Sequence, residues 1–189
     1  MAGPPFELPL SRWRAEVDAA DRAMLAHCHG PALDVGCGPG RMTTALLRRG
    51  TPALGIDVSP RAVASTRARG GLAVVRDVFD PVPWEGHWRT FLLADGNIGI
   101  GGDPARLLDR ARRILRPGGQ VLAEVAPPEV RTRTYRLRLD VDGRLTGPFD
   151  WAVVGAAGLG ELAVKAGFVL TRLDVVAGRW FARLRRGGG

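Results

Sequence analysis

A chain of 189 residues, 46% hydrophobic and 24% charged, is long enough to bury one core and too short for a second domain of ordinary size. No apolar run approaches the roughly 18 residues of a membrane-spanning helix, the opening M-A-G-P-P-F-E-L-P-L lacks the basic and apolar regions of a secretory signal, and two cysteines make no disulfide framework. A single domain over residues 1–189 in the cytoplasm is expected; the net charge of +8 suits a nucleic-acid partner and equally a chain whose basic residues are almost all arginine, Lys165 being its one lysine.

Within residues 1–30 an N-terminal helix is predicted from Ser11, a good N-cap, to about Cys28. Trp13, Val17, Ala20 and Met24 recur at spacings of three and four and share one face. His27-Cys28-His29 reads as the helix end, since three ligands so close cannot all turn to one ion on a helix; no metal is expected. Ala32 to Val35 is a short buried strand, broken by Gly36-Cys37-Gly38-Pro39-Gly40 and followed by a helix from Met42 to Arg49. Strand, glycine turn and helix form the context of a nucleotide-binding loop. Gly36 and Gly38 let the backbone bend tightly and lie against a ligand. A dinucleotide fingerprint needs its third glycine where Arg41 stands, and no Gly-Lys-Ser/Thr of a P-loop follows.

A second strand, Ala53 to Ile56, ends in Asp57, about 20 residues beyond Gly36, the interval of a ribose-binding acid. Ser59-Pro60 starts a helix with a cap and a first-turn proline, Gly70-Gly71 ends it, and Leu72 to Val75 is a third strand followed by Arg76-Asp77-Val78. The loop from Pro81 to Thr90 holds Trp84, His87 and Trp88, rings expected to pack. Phe91 to Ala94 is the fourth strand, with Asp95-Gly96-Asn97 at the carboxyl end where open α/β sheets bind ligands; Ile98 to Gly102 follows as a wall of small residues. Asp103-Pro104 opens an amphipathic helix that buries Leu107, Leu108, Ala111, Ile114 and Leu115. Pro117-Gly118-Gly119 stops it before the fifth strand, Gln120 to Val125.

Arg131 to Val141 alternates, with Tyr135, Leu137, Leu139 and Val141 on one face and Thr134, Arg136, Arg138 and Asp140 on the other. Asp142-Gly143 is a hairpin turn signal. Gly160 to Lys165 gives a last helical turn or two. Phe168 to Val176 and Arg179 to Leu184, joined at Ala177-Gly178, form an antiparallel pair. The predicted fold is α/β: a Rossmann-like, doubly wound, mostly parallel sheet of about seven strands ending in an antiparallel hairpin, with an N-terminal helix and a β-hairpin inserted after the fifth strand.

The first motif, an apolar strand ending in acidic-x-G-x-G-x-G at Asp34, Gly36, Gly38 and Gly40, resembles that of the class I S-adenosylmethionine-dependent methyltransferases. The passage L-R-P-G-G-Q-V-L is similar to the same family. The resemblance covers roughly residues 30 to 125 and the C-terminal hairpin. It implies S-adenosyl-L-methionine as cofactor, held by Asp34, Gly36, Cys37, Gly38, Gly40, Asp57, Val58, Asp77, Val78, Asp95, Gly96 and Asn97. Within that set it gives Asp57 the ribose, Asp77 and Val78 the adenine, and Asp95-Gly96-Asn97 the methyl end. It further implies that residues 131–150 build a substrate lid, whose Arg131, Arg133, Arg136 and Arg138 would meet an acidic substrate or a phosphate.

The implied reaction is in-line methyl transfer. Its leaving group is a neutral thioether that needs no proton, so catalysis rests mainly on positioning, which can supply ~7–11 kcal/mol. A general base is required only where the acceptor loses a proton early; His87 and Asp95 are the candidates, then Tyr135. The N/D-P-P-Y/F motif of the nucleic-acid and glutamine amino-methyltransferases is absent, Asp95-Gly96-Asn97-Ile98 standing in its place, which favours a small-molecule acceptor. An RNA methyltransferase and a non-catalytic cofactor-binding protein are the alternatives.

Overall fold

The central strands are apolar on both faces, a pattern that only a sheet covered on both sides can bury. The computed structural model describes residues 12–13, 15–138, 140–141 and 144–187. In chain order its strands are β1 (Ala32–Val35), β2 (Ala53–Asp57), β3 (Ala73–Val75), β4 (Trp88–Leu93) and β5 (Leu115–Val125); an insertion with β6 (Arg133–Leu137), β7 (Asp140–Val141), β8 (Arg144–Leu145) and β9 (Phe149–Val153); and β10 (Phe168–Val176) and β11 (Arg179–Arg186). The helices are α1 (Ala19–Ala26), α2 (Arg41–Arg48), α3 (Pro60–Ala68), α4 (Pro104–Ile114) and α5 (Leu159–Lys165).

Seven strands form one sheet in the order β3-β2-β1-β4-β5-β11-β10. β1 to β5 run parallel, and β11 is antiparallel to both β5 and β10. Side chains alternate between two cores. Leu33, Val35, Phe91, Leu93, Val121 and Ala123 pack with α4 and α5 through Leu107, Leu108, Ala111, Leu159 and Ala163. Ala32, Leu92, Ala94, Leu122 and Phe181 pack with α1 and α2 through Ala20, Met24, Leu25, Met42 and Leu46. The doubly wound sheet with its closing antiparallel hairpin matches the expected architecture. Strand order reverses between β1 and β4, and that reversal fixes where an open α/β sheet receives its ligand.

Several boundaries differ from expectation. The N-terminal helix is not continuous: Arg12 and Trp13 are helical, Ala15–Asp18 is not, and α1 starts at Ala19. Asp18 and Asp21 form a reciprocal capping box, each carboxylate accepting the other's backbone N–H, at 2.7 and 3.1 Å. Such side chains satisfy the backbone locally and start a new helix there; the predicted cap, Ser11, lies outside the described residues. β5 begins at Leu115, ahead of Pro117-Gly118-Gly119, whose residues bulge from the ladder between the pairs Trp88–Leu115 and Thr90–Gln120. The insertion is longer than one hairpin. β7 and β8 pair beside the predicted Asp142-Gly143 turn, which lies outside the described residues along with Leu139, but β6 pairs with β9. The alternation of β6 buries no face of its own: Arg133–Arg136 are exposed, and it is Trp151 and Ala152 of β9 that are buried.

Asp34 is the ionisable exception within β1, 2% exposed, its Oδ2 accepting the Thr43 hydroxyl at 2.6 Å. Burial pushes its carboxyl up to about 7, against the lowering effect of the Thr43 bond. Because the folded value lies above the unfolded one, near 3.9, the folded state holds this proton more tightly. The stabilisation is complete below about pH 4 and is lost as pH rises through 7. Asp34→Asn, which keeps the shape without the charge, is expected to gain stability relative to wild type as pH is raised from 4 to 8. Urea midpoints of both proteins across that range check this; a constant difference would show that Asp34 is ionised throughout.

Candidate functional site

The carboxyl ends of β4, β1, β2 and β3 lie side by side, so the segments that follow them line one edge of the sheet. The loop after β1 turns back over β2, with the Gly36 and Cys37 N–H groups both donating to the Ile56 carbonyl at 2.9 and 3.0 Å. Gly36, Gly38 and Gly40 all have positive φ, at 68°, 53° and 88°, which glycine alone adopts without strain. Only one of them faces open space. A Cβ on Gly36 would stand 2.8 Å from the Asn97 amide and one on Gly40 2.5 Å from Thr66, whereas at Gly38 no heavy atom lies within 4 Å. The outer glycines thus seat the loop against the protein, and Gly38 presents bare backbone outward.

Asp57, at the end of β2, grips this loop. Its Oδ2 accepts the Gly38 N–H at 2.9 Å and its Oδ1 the Ser59 N–H at 2.8 Å. Each oxygen retains lone-pair capacity for a further donor, as a ribose diol requires. The adjacent Val58 is 67% exposed, an apolar surface beside that carboxylate and suited to a flat ring. Asp77 is also exposed, its Oδ1 accepting the Phe79 N–H at 2.9 Å. The Val78 side chain is buried in the core and its carbonyl accepts Arg110 Nε at 2.8 Å. Cys37 turns inward against Val63 and Ala73. Burial raises its thiol pKa, so this residue contributes its backbone to the loop and no reactive sulfur.

After β4 the chain takes two consecutive left-handed residues, Asp95 (φ 53°) and Gly96 (φ 79°). Asn97 Nδ2 donates to the Val35 and Gly36 carbonyls at 2.8 and 3.0 Å, tying this turn to the glycine loop. Asp95 donates its N–H to Glu124 Oε2 at 2.8 Å, and its Oδ2 accepts from Arg41. Arg41 also donates to Asp21. Arg179 clamps both oxygens of Glu124 at 2.8 Å each and reaches Asp21 Oδ1 at 2.9 Å. Asp21, Arg41, Asp95, Glu124 and Arg179 thereby close a ring joining α1, α2, the post-β4 turn, β5 and β11. The Arg41 side chain is 3% exposed and the other four no more than 11%. Among the described residues, Arg41 Nε and Asp95 Oδ1 have no hydrogen-bond partner. Burial raises the Asp95 pKa and the neighbouring Arg41 works against that rise.

Asp34, the glycine loop, Asp57 and Asp95-Gly96-Asn97 come together as expected, with Asp77 and Val78 at the β3 side. Asp34 sits beneath the loop instead of beside it. His87 does not join them: it precedes β4, whose six residues put about 20 Å between it and the ligand edge, and its Nδ1 lies 3.1 Å from the Glu85 carbonyl. It is removed as a candidate base. Trp84 and Trp88 share that far end and pack at 5.8 Å between ring centroids. Asp95 spends one oxygen on Arg41, which opposes but does not cancel the rise that burial imposes on its pKa. Tyr135 is on β6, partly exposed. Nothing local in the sequence marks Arg41, Arg179 or Asp21; Glu124, a charged residue inside an apolar strand, is the one available signal.

The bare backbone of Gly38, the free acceptor capacity of Asp57 and the unbonded Asp95 oxygen lie along one edge and suit a nucleoside that carries a cationic tail. Residues 33–123 match the family described as methyltransferase domain. Trans-aconitate 2-methyltransferase of Methylobacterium radiotolerans is 34% identical over 137 residues, 69% of this chain and 50% of that protein. The chain spans about half the length of the curated relatives it matches. Among solved structures, a methyltransferase from Bacteroides fragilis in complex with S-adenosyl-L-homocysteine superposes with a TM-score of 0.80 at 24% identity, covering 96% of this chain and 83% of that one. The 1,6-didemethyltoxoflavin-N1-methyltransferase of Burkholderia thailandensis gives 0.68 at 20% identity, over 89% and 76% of the two chains. Strand order, glycine loop and family match agree: residues 33–123 form a class I S-adenosylmethionine-dependent methyltransferase domain, whose cofactor is S-adenosylmethionine.

Proposed function

We propose that this chain transfers the methyl group of S-adenosylmethionine to a small acidic acceptor. The observation that carries the acceptor class is the β6–β9 ribbon. Both ends of the insertion lie at the carboxyl end of β5, where Ala126 N–H donates to Val154 O at 2.8 Å and Ala156 N–H to Ala126 O at 2.9 Å. The ribbon also holds the post-β4 segment, through a bridge between Ile100 and Trp151 and through Thr134 Oγ1 on Gly102 O at 2.7 Å. It therefore stands at the ligand edge, which supports reading it as a substrate lid. Arg131, Arg133, Arg136 and Arg138 are exposed on it or at its ends. Guanidinium groups suit carboxylates and phosphates through paired donors, and the acceptor named for the relative from Methylobacterium radiotolerans, trans-aconitate, is an acid.

The cofactor supplies an electrophilic methyl group on a sulfonium. Asp57 holds the ribose diol, the Gly38 backbone lies against the nucleoside, and Asp95 faces the charged end. Orientation does most of the work, because the departing thioether takes no proton. Asp57→Ala is expected to weaken S-adenosylhomocysteine binding tenfold or more, about 1.4 kcal/mol, as read by calorimetric titration; unchanged affinity in the folded variant removes the ribose assignment.

Replacing Arg133 and Arg136 together by alanine is expected to leave that affinity within threefold while turnover on an acidic acceptor drops at least tenfold. A fall in cofactor affinity instead would place these side chains at the nucleoside. An RNA acceptor predicts binding that weakens steeply with salt, so the salt dependence of RNA binding by the wild-type protein separates the two acceptor classes.

A further inference from the structure

The ring of buried charges is costly for a fold and sits where a ligand would use it. A cation at the first residue of a helix opposes the helix dipole, and Arg41 is the first residue of α2. Buried ion pairs contribute little net stability, since desolvation offsets their attraction. Yet Arg41 bridges two carboxylates from different elements, Asp21 of α1 and Asp95 after β4. The turn it holds is unusual in itself: among the described residues Asp95 is one of three non-glycine residues with positive φ, and its backbone N–H is fixed separately by Glu124. The ring contains three carboxylates and two guanidiniums, with a third cation at its rim, Arg12 Nη1, 3.6 Å from Glu124 Oε1. Asp95 Oδ1, 3.5 Å from Arg179 Nη2, is the one carboxylate oxygen of the ring without a hydrogen bond. Beside it, the position a Cβ would take on Gly96 has nothing within 4 Å.

We propose that Arg41 is a positioning residue for the methyl donor: acting through Asp95, it fixes the Asp95-Gly96 turn and holds the Asp95 carboxylate charged toward the cationic end of the bound cofactor. This rests on the cofactor reading above. Without Arg41, Asp95 faces Glu124 of β5 and Asp34 of β1, with Arg179 of β11 as its remaining cation and Asp21 and Asp18 of the α1 region drawing on that same arginine. Arg12 pairs with Glu124 alone, and Arg179 is shared among Glu124, Asp21 and Asp18, which leaves Asp95 prone to take a proton as pH falls. Protonated, it offers nothing to a cationic group.

The test is S-adenosylhomocysteine binding by calorimetry between pH 5.5 and 8.5, for wild type, Arg41→Met and Arg41→Lys, with thermal stability recorded alongside. The product keeps the ammonium group, so the measurement needs no acceptor. The expected result is a loss in Arg41→Met that is about threefold at pH 8.5 and grows to thirtyfold or more at pH 5.5, with Arg41→Lys restoring most of the affinity at both ends. In an Asp95→Asn background, Arg41→Met should add no pH dependence, because the titrating group is gone. A pH-independent loss, or none, in a variant whose wild-type parent binds well overturns the positioning role and leaves the cofactor reading intact. Failure of the wild type to bind overturns both. Should Arg41→Met not fold, the pH profile of Arg41→Gln is read in its place by the same criteria.

Discussion

The Gly38 peptide is the point on which the ligand edge depends. Its N–H is spent on Asp57 and its carbonyl accepts the Thr66 hydroxyl at 2.8 Å, so β1, β2 and α3 are locked through the two peptide units that meet at one residue. The flanking glycines permit this: Gly40 lies against Thr66 and Gly36 against Asn97, each closer than a side chain would allow. Because Asn97 then bonds the end of β1, the post-β4 turn inherits its place from the same loop. Three segments far apart in sequence therefore take their relative positions from local backbone geometry, before any ligand is present. Preorganisation of this kind is what lets orientation carry catalysis.

Much of this was legible in the sequence because it is written in local signals. Glycines at alternate positions, the acid at the end of β2 and the Ser59-Pro60 start of α3 need only neighbouring residues to be read. The alternation of apolar strands and helices points to the doubly wound class by the same means, while the order of the strands comes from the structure. What stayed hidden depends on distant partners. Arg41 reads as a surface helix residue until Asp21 and Asp95 are known to converge on it. Asp34 reads as a ligand carboxylate until the packing of Thr43 seals it below the loop. His87 looked available because a sequence does not say which end of a strand a loop occupies. The helix expected from Ser11 to Cys28 is interrupted for a local reason: Asp18, three residues before Asp21, is a start signal within the longer apolar periodicity.

The distribution of charge bears on direction of reaction. Although the chain carries a net +8, its ligand edge gathers Asp57, Asp77 and Asp95, with Asp34 and Glu124 buried behind them and Arg41 and Arg179 the cations of the buried ring. The positive excess lies elsewhere, part of it on the exposed arginines of the insertion. Under the proposed function, a cationic donor meets the acidic cleft and an anionic acceptor meets the basic ribbon, so each substrate is drawn to its own side and the two charges face each other across the reacting methyl. Transfer removes the sulfonium charge. The product thioether then loses part of its attraction to the carboxylates that held the donor, and a cleft tuned to a cation discriminates by charge between the cofactor it must bind and the product it must release.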